Sequence, residues 1–241
     1  MKVLIIGGVA GGATAAARLR RLDETAEIVI LERGPHISFA NCGLPYYIGG
    51  TIAEESDLLL QTPESFYRRF RVGVRTFHEA LSVDREKKVV LVRGKDGAEY
   101  REPYDKLILA PGAEPVLPPI PGIRTPGVFT LRNVPDTLKI KEYAVQKGVK
   151  TAVVLGGGYI GLELAENLVQ MGISVTIVEL ADHVMPPLDR EMASDVQLYL
   201  RKKGIRLLLK TGVKEIRPGL AVVTDREVLP ADMMILSLIH I

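Results

Sequence analysis

The chain has 241 residues, 47% hydrophobic and 25% charged, the balance of a folded protein with one large or two ordinary domains. Lys and Arg number 31 against 29 Asp and Glu, a formal net charge of +2, which gives no electrostatic case for nucleic acid or a membrane surface as partner. No apolar stretch approaches the ~20 residues of a membrane span. Met1-Lys2 runs into a short apolar segment that ends in glycines, not into a signal peptide. A single cysteine precludes an internal disulfide, so the cytoplasm is the expected compartment.

In chain order, a strand at Val3–Ile6 enters the glycine cluster Gly7-Gly8-Val9-Ala10-Gly11-Gly12, followed by a helix-forming run, Ala13–Leu22. A second strand, Ile28–Leu31, ends in Glu32. The stretch from Phe70 to Leu109 reads as β-rich, with strands at Val89–Val92 and Lys106–Leu109 and a turn at Gly94-Lys95-Asp96-Gly97. Seven prolines between 103 and 126 disfavour regular structure and mark a linker. The first pattern then recurs: strand Ala152–Leu155, cluster Gly156-Gly157-Gly158-Tyr159-Ile160-Gly161, a helix to about Met171, and strand Ser174–Val178 ending in Glu179. A helix at Arg190–Lys203 and strands near Ile205–Leu209, Leu220–Val223 and Met233–Leu236 complete the series.

Short, wholly apolar strands suit a parallel sheet covered on both faces by helices. The expected fold is therefore α/β, with two Rossmann-like dinucleotide-binding domains of three layers each. Their expected bounds are 1–112 and 113–235. The end, Leu236-Ser237-Leu238-Ile239-His240-Ile241, resembles a translated sequencing adapter, so 236–241 is expected to be a non-native tail on a truncated frame.

Gly156-x-Gly158-x-x-Gly161 meets every contextual requirement of a dinucleotide fingerprint. Gly156 permits the tight turn, Gly158 lets a pyrophosphate reach the backbone, and Gly161 lets helix and sheet approach. Glu179 is placed to accept hydrogen bonds from a ribose 2′-hydroxyl and would repel a 2′-phosphate. No Arg or Lys lies in Leu180–Pro187, which favours NADH over NADPH. In the first copy Val9 replaces the middle glycine, while Gly7, Gly8, Gly11 and Gly12 keep the loop permissive and Glu32 stands as ribose acceptor. Two such folds in one chain point to two dinucleotides, a flavin and a nicotinamide.

Cys42 lies in Ser38-Phe39-Ala40-Asn41-Cys42-Gly43-Leu44-Pro45-Tyr46-Tyr47-Ile48-Gly49-Gly50. With Asn41 as helix cap, Cys42 would occupy the first helical turn, where free N–H groups and the helix dipole favour a thiolate. Lacking a second cysteine, it is restricted to a mixed disulfide, a persulfide or a sulfenic acid. His36, His78 and His183 show no metal-ligand spacing, and no metal is expected. Arg68, Arg69, Arg71 and Arg75 form a basic run, read as a solvated face or the rim of an anionic-substrate site. Glu24, Glu54, Glu55 and Glu64 read as helix-end or solvated charges.

The run Gly7 to Leu22, the run Ser38 to Gly50 and the run Gly156 to Glu163 together resemble the N-terminal half of the single-cysteine flavoprotein disulfide reductases. These are the coenzyme A-disulfide reductases and their rhodanese-fused relatives, and they share the Val9 departure. Tyr104 to Gly112 resembles their strand into the domain linker. The resemblance implies FAD on the first domain, NADH or NADPH on the second, and Cys42 as the redox nucleophile toward a small-thiol disulfide of the coenzyme A type. It implies that Ser38 and Asn41 contact that substrate, and that Thr14, Arg18 and Arg21 hold its nucleotide end. The same three residues share one helix face by spacing. Phe70 stands at a substrate position that is basic in relatives, with Arg69 and Arg71 beside it. Tyr159 resembles the gate over the nicotinamide pocket, and Glu163 the carboxylate near the nicotinamide amide; Ala10 replaces the histidine of the NADH peroxidases and oxidases. Relatives continue into a second FAD segment and a dimerisation domain, which implies a homodimer for a full-length parent. Two alternatives stay open: an NADH oxidase or peroxidase working through a Cys42 sulfenic acid, and an inactive dinucleotide-binding fragment.

Overall fold

The computed structural model describes residues 1–240. They form two compact units: Met1–Ala40 with Ser56–Gly112, and Asn41–Glu55 with the chain from Ala113 onward. Residues 41–55 thus group with the second unit. The α-helices are α1 (Ala10–Leu22), α2 (Leu44–Ile48), α3 (Pro63–Phe70), α4 (Val134–Gln146), α5 (Tyr159–Gln170) and α6 (Arg190–Lys202).

In the first unit, strands β1 (Lys2–Ile6), β2 (Glu27–Glu32), β3 (Gly73–Thr76) and β7 (Lys106–Leu109) make a parallel sheet in the order β3-β2-β1-β7. Strands β4 (Glu79–Asp84), β5 (Val89–Arg93) and β6 (Glu99–Pro103) make a separate antiparallel sheet. Alternation along β1 and β2 sends Val3, Ile5, Ile28 and Ile30 to one face, where they pack with Ala13 and Ala16 of α1 and Phe66 of α3. The intervening Leu4, Val29 and Leu31 pack on Val90 and Val92 of β5. The expected helices on both faces are therefore corrected. Only one face is helical, because the alternating Val/Leu pattern of β5 supplies an apolar sheet face that buries the other.

The second unit repeats this plan. Strands β9 (Val128–Thr130), β10 (Thr151–Leu155), β11 (Ser174–Val178), β12 (Arg206–Leu208) and β16 (Met233–Leu236) form a parallel sheet ordered β12-β11-β10-β16-β9. One of its faces meets the antiparallel strands β13 (Val213–Arg217), β14 (Ala221–Thr224) and β15 (Val228–Pro230), through Val153, Leu155, Val178 and Met234 against Ile216, Val222 and Leu229. Helices α4, α5 and α6 contact the sheet strands as well. The proline-rich stretch is mostly irregular, as its composition implies, but Glu114–Pro115 (β8) pairs with Ile239–His240 (β17). Of the expected tail, Leu236 completes β16 and is buried, while Ile241 lies outside the described residues.

Lys2, Arg75 and Glu102 form a charged cluster in the first unit. The nearly buried Glu102 carboxylate accepts from Arg75 Nη1 at 2.5 Å and lies 2.6 Å from Lys2 Nζ. Arg75 therefore does not belong to a solvated basic run: the fold turns its guanidinium toward Glu102 and the Tyr100 hydroxyl, 3.1 Å away. Burial alone would raise the Glu102 pKa, but hydrogen bonds from Arg75 and Lys2 hold it below the usual range.

Candidate active site: two nucleotide cradles and a free thiol

The first cradle is built at the C-terminal ends of β1 and β2. Gly7 has φ +97°, and a Cβ there would stand 2.0 Å from the Ala110 carbonyl oxygen, so only glycine fits. Gly12 passes equally close beneath the turn: its Cβ would meet the Gly7 oxygen at 1.8 Å. Helix α1 begins at Ala10, three residues before the expected start, because the cluster's last glycines are themselves helical. Val9 is its N-cap and offers no side-chain cap, and the first turn carries no acid. The leading N–H groups and the positive end of the helix dipole thus await an anion. Glu32, ending β2, is fixed by two backbone donors: Gly8 N–H to Oε2 and Gly34 N–H to Oε1, both 2.8 Å. Ser38, with φ +44°, donates its N–H to the Gly8 carbonyl at 2.9 Å. Gly11 is exposed, with only the Ala110 methyl near its open side.

Thr14, Arg18 and Arg21 are all exposed along α1, whereas Gly12 and Ala16 are buried, so the three share an open face. Arg20 is not free: its guanidinium donates to the carbonyls of Phe70, Asp23, Glu24, Ala26 and Arg71. Phe70 is half-buried and stacks against Phe66 at 4.9 Å, with Arg69 lying over its ring.

The second cradle matches the first atom for atom in its essentials. Gly156 has φ +108°, and a Cβ on Gly161 would meet the Gly156 oxygen at 2.1 Å. Glu179 accepts from Gly157 N–H at 2.6 Å and from Ala181 N–H at 2.8 Å. Helix α5 starts from Gly158 with no side-chain cap, and nothing lies within 4 Å of where a Gly158 Cβ would be. This clear space beside uncapped N–H groups is what a pyrophosphate requires. Tyr159 is exposed at the helix start, and Ile160 follows it half-buried. Burial pushes the Glu163 carboxyl up, and the neighbouring Glu166 charge adds to the shift.

Cys42 is a free, exposed thiol. It sits in a 3-10 turn, Asn41–Gly43, and α2 begins only at Leu44 with Gly43 as N-cap. The expected capping by Asn41 is therefore corrected. Pro45 has no N–H to continue a helix begun at Cys42, so the chain tightens into a 3-10 turn and restarts. The Asn41 side-chain oxygen is buried without a hydrogen-bond partner.

Sequence reasoning missed Asn167. This residue of α5, 1% exposed, donates from Nδ2 to the Glu163 carbonyl at 2.8 Å. Its Oδ1 faces Gly49, the C-cap of α2, where a Cβ would stand 2.3 Å away. The close packing of the short helix after Cys42 on the helix that carries Glu163 thus depends on Gly49. The one available signal was a polar residue on an otherwise apolar helix face, four positions after Glu163.

Among the described residues no group of three or more His, Cys, Asp or Glu is arranged to hold a metal, and no helix is long and apolar enough to cross a membrane.

Two glutamate-anchored cradles on two parallel sheets define the chain as an α/β protein built to bind two dinucleotides. The family model of the pyridine nucleotide-disulphide oxidoreductases matches residues 1–238, and the chain belongs to that family. The family's cofactors are FAD and NAD(P)H, and both cradles fit them. A solved structure of reduced Bacillus anthracis CoADR-RHD is 47% identical and superposes with a TM-score of 0.97, over 99% of this chain and 44% of the other. A coenzyme A disulfide reductase of Staphylococcus haemolyticus is 41% identical over 79% of this chain and 43% of its own length. An NADH oxidase of Methanocaldococcus jannaschii is 36% identical over 98% of this chain and 54% of its own. The chain thus spans about half the length of the curated relatives it matches.

Proposed function

We propose that this chain carries the nucleotide-binding and thiol half of a flavoprotein that uses NAD(P)H to reduce a disulfide or persulfide of a small thiol such as coenzyme A. The observation that carries this reading is the pair of cradles, each with its carboxylate already fixed, accompanied by one exposed free thiol. The first cradle, with Gly7, Gly8, Val9, Ala10, Gly11, Gly12 and Glu32, would hold FAD. The second, with Gly156, Gly158, Tyr159, Ile160, Gly161, Glu163 and Glu179, would hold NADH or NADPH. When bound, FAD supplies the two-electron relay between the nicotinamide and the disulfide.

The Cys42 thiolate attacks one sulfur of the substrate disulfide, forming a mixed disulfide and releasing the other half as a thiolate. Thr14, Arg18 and Arg21 present two charges and a hydroxyl on one exposed face, a chemistry suited to the phosphates of a nucleotide-bearing thiol. Ser38 and Asn41 flank the segment leading to Cys42, and the buried, unpartnered Asn41 oxygen leaves an acceptor for a substrate N–H. The working protein acts as a homodimer in the cytoplasm.

A second reading, an NADH oxidase or peroxidase working through Cys42 sulfenic acid, is favoured by the likeness to the archaeal NADH oxidase. Ala10, where a histidine would serve peroxide chemistry, supports the thiol reading instead. Recording the visible spectrum of the FAD-supplemented chain during anaerobic addition of NADH tests the assignment. Retained flavin that bleaches is the expected result, and a chain that retains no flavin refutes it as a working half. Cys42→Ser should then abolish disulfide reduction while keeping the flavin; retained turnover would rule out Cys42 as nucleophile, and Cys42-dependent oxygen consumption would select the second reading.

A further inference from the structure

The loop after Glu179 contains no cation, yet the fold delivers cations to it from elsewhere. The chain following β12 runs alongside the end of β11: Lys210 N–H donates to the Ala181 carbonyl at 2.8 Å, and Thr211 N–H to the Glu179 carbonyl at 3.0 Å. The Lys210 backbone is therefore held beside the segment that follows Glu179, and its side chain is exposed. Arg226 braces this position by donating to the Lys210 carbonyl at 3.3 Å. From the other side, the exposed Arg190 of α6 reaches back to pair with Asp182, three residues beyond Glu179. Asp182 also binds His183 Nδ1 at 2.7 Å, while His183 Nε2 meets the Leu188 carbonyl at 3.2 Å. The loop is pinned beneath the cradle by Met185 N–H to the Gly157 carbonyl at 2.8 Å, so these groups are held beside the nucleotide turn. The His183 hydrogen bond, with Arg190 and Lys210 nearby, keeps the Asp182 carboxyl below the usual carboxylate range, so it is charged at neutral pH.

We propose that Asp182 is a specificity determinant of the second cradle: it occupies Arg190, offsets the positive charge of Lys210, and so withholds both cations from a 2′-phosphate. This rests on the reading of the second unit as the pyridine-nucleotide binder. Two effects act together. The Asp182 charge repels a phosphate dianion directly, and it competes for the guanidinium, whose planar fork suits phosphate as well as carboxylate. Neutralising the carboxylate removes the anion that Arg190 is paired with, so its guanidinium becomes available to a phosphate. Glu179 alone therefore does not set the preference; two carboxylates with different targets do.

The test is calorimetric binding of NAD+ and NADP+, which differ only by the 2′-phosphate, to the full chain and its variants. Asp182→Asn should tighten NADP+ about tenfold, which corresponds to ~1.4 kcal/mol, and leave NAD+ within about twofold. Adding Arg190→Ala or Lys210→Ala to Asp182→Asn should remove part of that gain and leave what the lost repulsion contributes, again with NAD+ retained as proof of a folded cradle. An unchanged NADP+ to NAD+ ratio in Asp182→Asn overturns the proposal, as does a gain that neither double substitution diminishes. If neither nucleotide binds any form, the reading of the second unit falls with it.

Discussion

The two cradles solve one problem with the same three contacts and, of the three positions at which their glycine loops differ, one is the most telling. In both, the first glycine takes positive φ, the last lies against the first one's carbonyl, and a glutamate grips the turn through two N–H groups. That one is the middle position, Val9 in one and Gly158 in the other. Gly158 has φ −82° and ψ −175°, an extended conformation open to any residue, so its glycine is not needed for the backbone. What it provides is vacant space. The lesson is that the outer glycines serve the fold and the middle one serves the ligand.

The largest expected effect contrasts the first glycines. Gly7→Ala combines a left-handed φ with a Cβ 2.0 Å from a backbone oxygen, and should destabilise the chain by about 3 kcal/mol or more. Gly156→Ala meets the Ser237 oxygen at 2.8 Å and should cost about 1 kcal/mol less in denaturant melts; equal losses would show that the two turns are equally confined. Next comes Gly49→Ala, expected to cost about 2 kcal/mol, most of it recovered by adding Asn167→Ala, since the clash is with that side chain. Additive losses would place the strain elsewhere.

The first unit alone has the Lys2–Glu102–Arg75 cluster, and Glu102→Gln should cost about 1–2 kcal/mol at pH 7. Because folding depresses the Glu102 pKa, this contribution is full above the ordinary glutamate value of ~4.3 and fades as pH falls through the folded value. The gap between variant and parent should therefore close in acid melts. Glu163 runs the opposite way. Its raised pKa means its charge opposes folding, so Glu163→Gln should gain slightly as pH rises through the folded value. Smallest in stability is Gly158→Val, within about 0.5 kcal/mol of the parent, yet it should weaken NAD+ binding tenfold or more by filling the clear space.

Much of this was legible because glycine, proline and strand patterns have local causes. The turns at Gly7 and Gly156, the glutamates that close β2 and β11, and the open face of Thr14, Arg18 and Arg21 all follow from short-range spacing. What escaped depends on distant partners. Nothing in the spacing of β5 says that Val90 and Val92 will cover Leu4 and Val29 instead of a helix doing so. Nothing within Leu180–Pro187 announces that Lys210 will lie beside it or that Arg190 will turn back to Asp182. Asn41 failed as a cap for a reason that was present in the sequence, since Pro45 stands where a helix begun at Cys42 needs an N–H.

The uncapped starts of α1 and α5 carry a last consequence. Each helix leaves its first donors without a protein acceptor, so the nucleotide that binds there completes the secondary structure as well as occupying a site. Cofactor supply then becomes a folding variable. A nucleotide at a hundred times its dissociation constant adds about 2.7 kcal/mol to the unfolding free energy. The thermal midpoint of this chain would thus report how much of it is loaded.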